Sequence, residues 1–135
     1  MSEAPSLSLR TLCVGVDPHP GVLEAWGCAD SEAGLASFVS AIVPALVESG
    51  VGVVKPQVAF FERWGVAGMR QLAVLLGALR SRGIAVIGDA KRGDIGSTMS
   101  GYAHAWLEPG SDFEVDFLTL VPYQGVGALE PALTL

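Results

Sequence analysis

Asp89, Lys91 and Asp94 fall within six residues at the end of an apolar run, Ile84-Ala-Val-Ile-Gly-Asp-Ala-Lys-Arg-Gly-Asp-Ile-Gly-Ser-Thr98. The run has strand length, and alternation along an extended chain puts Asp89 and Lys91 on one face. Two carboxylates and an ammonium at the end of a buried strand cost folding free energy unless they pair or react. An ammonium held beside carboxylates suits stabilisation and protonation of a developing negative charge. It does not suit a Schiff-base nucleophile, which needs a depressed lysine pKa in an apolar or cationic setting, because neighbouring carboxylates favour the charged form. Gly93 is expected to let the backbone turn after the run, and Asp94 stands where a helix N-cap belongs.

The elements that must position these groups alternate along the chain. Leu12-Cys-Val-Gly-Val16 is a short apolar run ending at Asp17-Pro18. After a Pro- and Gly-rich segment, Asp30 or Ser31 can cap a helix whose apolar stripe is Leu35, Phe38, Val39, Ile42 and Leu46, closed by Gly50. Pro44 inside that pattern predicts a kink or a break. Val51-Gly-Val-Val54 reads as a second strand ending at Lys55-Pro56, followed by a helix from about Val66 to Arg82 with Met69, Leu72, Leu76 and Leu79 on its buried side. The Ile84 run is the third strand, with Ile95, Met99, Tyr102 and Trp106 at helical spacing after it. Val115 to Val121 reads as a fourth strand.

Strands alternating with helices indicate βαβ units around a parallel sheet. The first three strands all end in ionisable residues: Asp17, Lys55, and Asp89 with Lys91. In a (β/α)8 barrel such tips meet on one face, where active sites are built. The expected fold class is therefore α/β, with about four parallel strands and interleaved helices forming the first half of a (β/α)8 TIM barrel. Eight units need roughly 200 residues or more, and the chain has 135. One partial barrel domain over residues 1–135 is expected, as half of a longer protein or a form relying on a partner.

Half of the residues are hydrophobic and 16% are charged, which fits strands buried on both faces. Charged residues such as Lys55 and Arg63 interrupt each apolar run before membrane-spanning length, and Met1-Ser-Glu-Ala-Pro lacks a leader pattern. A formal net charge of −6 argues against nucleic acid or an anionic membrane as partner. An anionic small substrate would need local cations. Cys13 and Cys28, without CxxC spacing, read as reduced thiols in a cytoplasmic setting.

Asp89-Ala-Lys91-Arg-Gly-Asp94-Ile95 resembles the D-x-K-x-x-D-I signature of the orotidine 5′-phosphate decarboxylases, the family that makes UMP in the last step of pyrimidine nucleotide synthesis. Gly15-Val-Asp17-Pro-His and Lys55-Pro-Gln-Val-Ala-Phe-Phe-Glu62 strengthen the likeness, the latter to the longer bacterial subtype. Val121-Pro-Tyr-Gln-Gly125 with Leu129-Glu-Pro131 is similar to the family's fourth-strand loop, although Val121 stands where Asn is more frequent and Gly127 where Asp is usual. The resemblance implies a carboxy-lyase that uses no metal and no cofactor, with orotidine 5′-phosphate as its small-molecule partner. It implies that Lys91 protonates C6 of the pyrimidine as carbon dioxide leaves and that Asp89 lies against the substrate carboxylate. Lys55 and Asp94 would complete an alternating Lys-Asp-Lys-Asp array. Asp17, with Lys55, would hold the ribose hydroxyls. Asp94 and Thr98 would serve the site of a neighbouring subunit in a homodimer.

Two rival readings stand beside this one. Sugar-phosphate decarboxylases and synthases of the same superfamily share the D-x-K-x-x-D strand tip but use Mg²⁺ held partly by a second-strand Glu. Here that strand ends in Lys55, which repels a divalent cation. The other rival is non-enzymatic, a half-barrel acting as a binding or assembly module, because the family's phosphate-gripping Arg and closing loops come from the second half of the barrel.

Overall fold

The computed structural model describes residues 12–135. Met1 to Pro5, read above as lacking a leader pattern, lie outside the described residues. Four strands, β1 (Cys13–Val16), β2 (Val53–Pro56), β3 (Ala85–Arg92) and β4 (Phe117–Leu120), form one sheet in the order β1-β2-β3-β4. Every neighbouring pair is parallel, with Cys13 beside Val53, Val53 beside Ala85 and Ile87 beside Phe117. Sequential parallel neighbours need crossovers, and helices supply them: α1 (Pro20–Ala25) and α2 (Glu32–Ser49), then α3 (Ala59–Glu62) and α4 (Gly65–Arg80), then α5 (Gly96–Leu107). A 3₁₀ turn (Val126–Leu129) and α6 (Glu130–Leu133) follow β4.

Helix α2 starts where Ser31 accepts the Gly34 N–H at 3.0 Å and ends at Gly50, whose left-handed φ of 69° favours glycine. Of the kink or break expected at Pro44, the break does not occur: the helix is continuous through it for 18 residues. Pro44 and Ser40, whose carbonyl loses its N–H donor, are both exposed, so water can satisfy that carbonyl. With a mean hydropathy of 1.3 the helix is long and apolar enough to cross a membrane. Here it buries Leu35, Phe38, Val39 and Leu46 in the core shared with α4 and the sheet.

Leu72, Leu75, Leu76 and Leu79 of α4 are fully buried in the same core with Val54, Val86 and Phe61. Each such side chain contributes roughly 1.5–3 kcal/mol by burial. The strands sort their residues by parity. Val14, Val16, Val54, Val86 and Leu118 join the helix-side core, while Cys13 and Gly15 are exposed on the opposite face and Lys55, Ile87, Asp89, Phe117 and Thr119 are half-buried there. Sequence reasoning assigned no helix to the α1 and α3 segments; both are short helices that shape the connections after β1 and β2.

Candidate functional site

On the helix-free face, the C-terminal tips of the strands are tied by main-chain bonds that extend the ladder beyond the strands. Gln57 N–H donates to the Val16 carbonyl at 3.0 Å, and Val58 N–H to the Asp89 carbonyl at 3.3 Å. The tips of β1, β2 and β3 are thereby held in fixed relation before any side chain is considered.

Strand β3 is irregular at its tip. Gly88 is paired with Leu118 and Arg92 with Leu120, so Asp89, Ala90 and Lys91 together lie opposite the single residue Thr119. This bulge places Lys91 at φ 49°, the one left-handed non-glycine among the described residues. Such a conformation costs about 1–3 kcal/mol and persists where its surroundings determine it. Gly93, expected to supply the turn, is not left-handed. It is needed for close approach, since a Cβ there would run into the Val121 carbonyl, and Val121 N–H donates to the Arg92 carbonyl at 2.8 Å.

Asp89 is the hub. Its Oδ2 accepts from Lys55 Nζ at 2.9 Å, and its Oδ1 accepts from Lys91 Nζ at 2.7 Å and from the Thr119 hydroxyl at 2.9 Å. Lys55 Nζ also donates to Gln57 Oε1 at 3.0 Å. The Asp89 side chain is 11% exposed, against 58% for Lys91. Burial pushes the Asp89 pKa upward, but hydrogen bonds from Lys91, Lys55 and Thr119, with the Lys55 charge, outweigh it and lower the value to about 2. Within the hydrogen-bonded cluster itself, two lysines face one carboxylate, a net positive charge in a chain of net charge −6 that suits an anionic ligand.

The structure thus joins Lys55, Asp89 and Lys91, as the sequence led us to expect. Asp17 stands just past β1, half-buried, with Oδ1 buried and without a hydrogen-bond partner. Asp17 and Lys55 are not paired. Asp94 does not cap α5. Ile95 occupies that position with extended backbone, and the Asp94 carboxylate accepts the Ile95 N–H at 2.8 Å one residue earlier. Among the described residues Asp94 forms no ion pair, so within one chain the array has three members rather than four. Thr98 is exposed in the first turn of α5. Sequence reasoning missed Thr119 and Gln57. A polar residue in the apolar run Phe-Leu-Thr-Leu, at the parity of the inward face, was the signal for Thr119. Gln57 carried the same signal, two residues beyond Lys55.

Arg92 pairs with Glu62 of α3 and lies 5.5 Å and 5.6 Å from the Tyr102 and Trp106 ring centroids. It clamps the end of β3 to its neighbours on the side away from Asp89.

Comparison with known proteins agrees with this fold. The chain is 52% identical over 124 residues to the orotidine 5′-phosphate decarboxylase of Corynebacterium efficiens, covering 92% of this chain and 44% of that protein. The Salinispora tropica decarboxylase matches to the same extent. Among solved structures, a candidate orotidine 5′-phosphate decarboxylase from Streptomyces avermitilis superposes with a TM-score of 0.87 at 50% identity, over 91% of this chain and 43% of the other. Leishmania donovani OMP decarboxylase superposes with a TM-score of 0.72 at 30% identity, over 90% and 43%. The chain spans less than half the length of these relatives, and its four βα units are the first half of their (β/α)8 barrel. The sequence model described as the orotidine 5′-phosphate decarboxylase / HUMPS family matches residues 10–135, and the chain belongs to that family.

Proposed function

We propose that this half-barrel carries the proton-donating corner of an orotidine 5′-phosphate decarboxylase site. The observation that supports it is the Lys55–Asp89–Lys91 relay, in which one carboxylate is hydrogen-bonded by two lysines from adjacent strands. Decarboxylation breaks the bond from C6 to the carboxylate and leaves its electron pair on C6. The Lys91 ammonium, mostly exposed on the open face, stabilises that pair and transfers its proton to C6, and the resulting amine regains a proton from solvent. Asp89 fixes the direction of both ammonium groups. Asp17, with an unsatisfied oxygen at the β1 tip, suits a hydroxyl donor such as ribose. Asp94 and Thr98 act in the site of a neighbouring copy, which accounts for the lack of an ion pair to Asp94 within one chain.

The related metal-dependent chemistry needs a carboxylate where Lys55 stands. Lys55 Nζ already occupies Asp89 Oδ2, so the donor set disfavours a divalent cation on chemical grounds. In the family the groups that grip the phosphate lie in the second half of the barrel, and remote binding energy drives much of the rate. The 135-residue chain alone is therefore proposed to turn over negligibly.

The test completes the barrel by joining this chain to the part of the Streptomyces avermitilis relative that it does not cover. Loss of orotidine 5′-phosphate is then followed by ultraviolet absorbance, with and without EDTA. EDTA-insensitive turnover that Lys91→Ala abolishes is the expected result. Turnover retained by Lys91→Ala, or lost with EDTA, would overturn the reading.

A further inference from the structure

We infer that Thr119 is a positioning residue for the proton donor, holding Asp89 and Lys91 in register through one hydroxyl. This rests on the reading of Lys91 as the donor. A threonine hydroxyl has one proton to give and lone pairs to receive, and here both roles are used. Thr119 Oγ1 donates to Asp89 Oδ1 at 2.9 Å and accepts the Lys91 main-chain N–H at 2.9 Å.

These two bonds fall where the ladder between β3 and β4 is interrupted. Three residues of β3 face Thr119 alone, so the Lys91 N–H has no carbonyl opposite it, and the hydroxyl takes the place of that carbonyl. The left-handed backbone of Lys91 depends on this substitute acceptor. The same oxygen is then committed to donating toward Asp89, and Asp89 directs the ammonium of Lys91. Asp89 is faced by Lys55 from β2, by Lys91 from its own strand and by Thr119 from β4. From β1, Asp17 makes no bond to it. Among the described residues Thr119 is thus the one uncharged side chain hydrogen-bonded to the Asp89 carboxylate, and it contacts the main chain and the side-chain network at once.

Thr119→Val keeps the shape and removes the hydroxyl, whereas Thr119→Ser keeps the hydroxyl. In Thr119→Val of this chain, the carbon-13 titration of the Asp89 carboxyl should move to higher pH and the Lys91 amide should exchange about tenfold faster. Thr119→Ser should leave both near their parent values. In the completed barrel, Thr119→Val should lower kcat about tenfold with KM within about threefold, and Thr119→Ser should restore most of kcat. Unchanged Asp89 titration and Lys91 exchange in Thr119→Val would overturn the inference, as would a serine variant no better than valine. If both nuclear magnetic resonance readouts move while the parent barrel decarboxylates nothing, the positioning geometry stands and the functional reading falls. If the parent is active and Thr119→Val matches it in kcat, the functional reading stands and the positioning role falls.

Discussion

Lys55 Nζ of β2 and Asp89 Oδ2 of β3 lie 2.9 Å apart, with side chains 31% and 11% exposed. The pair bridges two strand tips separated by 34 residues, on the face that no helix covers. Removing Lys55 takes one of three hydrogen-bond donors from the largely buried Asp89 carboxylate and leaves Oδ2 without its partner, which costs folding free energy. Lys55→Met should therefore destabilise the chain measurably in urea unfolding at pH 7, and the double variant Lys55→Met with Asp89→Leu should recover part of the loss. An additive double variant would show the pair to be energetically idle.

Asp89 also makes stability depend on acid. Its folded pKa of about 2 lies below the ordinary 3.8, so the folded state binds this proton less readily than the unfolded chain. The resulting stabilisation is present above the unfolded pKa and is lost as pH falls through the folded value, about 2 kcal/mol in all. Urea unfolding at pH 7 and near pH 2 should show this component in the parent and not in Asp89→Asn. Equal acid sensitivity of the two proteins would contradict it.

Glycines 93 and 127 should behave oppositely. A Cβ at Gly93 meets the Val121 carbonyl, main chain of a residue whose N–H donates to the Arg92 carbonyl. Gly93→Ala is expected to cost about 1–3 kcal/mol. Gly127 has open space around it and no left-handed backbone, so Gly127→Ala should fall within about 0.5 kcal/mol of the parent. Thermal unfolding of the two variants side by side checks the contrast.

If Asp94 serves the partner's site, complementary defects should rescue each other. In completed barrels, an equal mixture of Lys91→Ala and Asp94→Ala subunits that pair at random gives mixed dimers as about half of the total, each with one intact site, so about a quarter of all sites are intact. Activity rising toward that fraction after mixing is the expected outcome. A mixture no more active than its components would place Asp94 in its own chain's site.

Lys91 gives a prediction in which stability and activity diverge. At φ 49° any side chain beyond hydrogen is disfavoured, so Lys91→Gly should be more stable than Lys91→Ala by about 1 kcal/mol. Both should be inactive. The two melting temperatures, taken with the absence of turnover, test whether the site is held against a backbone preference.

Much of this arrangement was legible in the residues. The β and α periods located all four strands, and Asp17, Lys55, Asp89 and Lys91 were read at strand tips because a parallel sheet orders its tips on one side. The short helices α1 and α3 were missed because six and four residues are too few to show a helical period. That α2 stays continuous through Pro44 was not legible, because the effect of that proline depends on which face of α2 meets water. The cap of α5 was placed one residue early, at Asp94, because the extended backbone at Ile95 delays the helix. Thr119 and Gln57 escaped notice for a different reason. Their partners are set by the register between strands, and a bulge that shifts that register has no signature within one strand.

The bonds from Gln57 N–H to the Val16 carbonyl and from Val58 N–H to the Asp89 carbonyl have a consequence for how this scaffold diversifies. Both are made by main chain alone, so they survive exchange of any side chain at positions 17, 55 or 89. A charge at one tip can be reversed while the spacing of the tips stays constant, and a different reaction can be tried without rebuilding the frame. The joining of orotidine 5′-phosphate decarboxylase and HUMPS in one family description is the outcome such a division of labour favours: inheritance keeps the ladder, and selection edits what hangs from it.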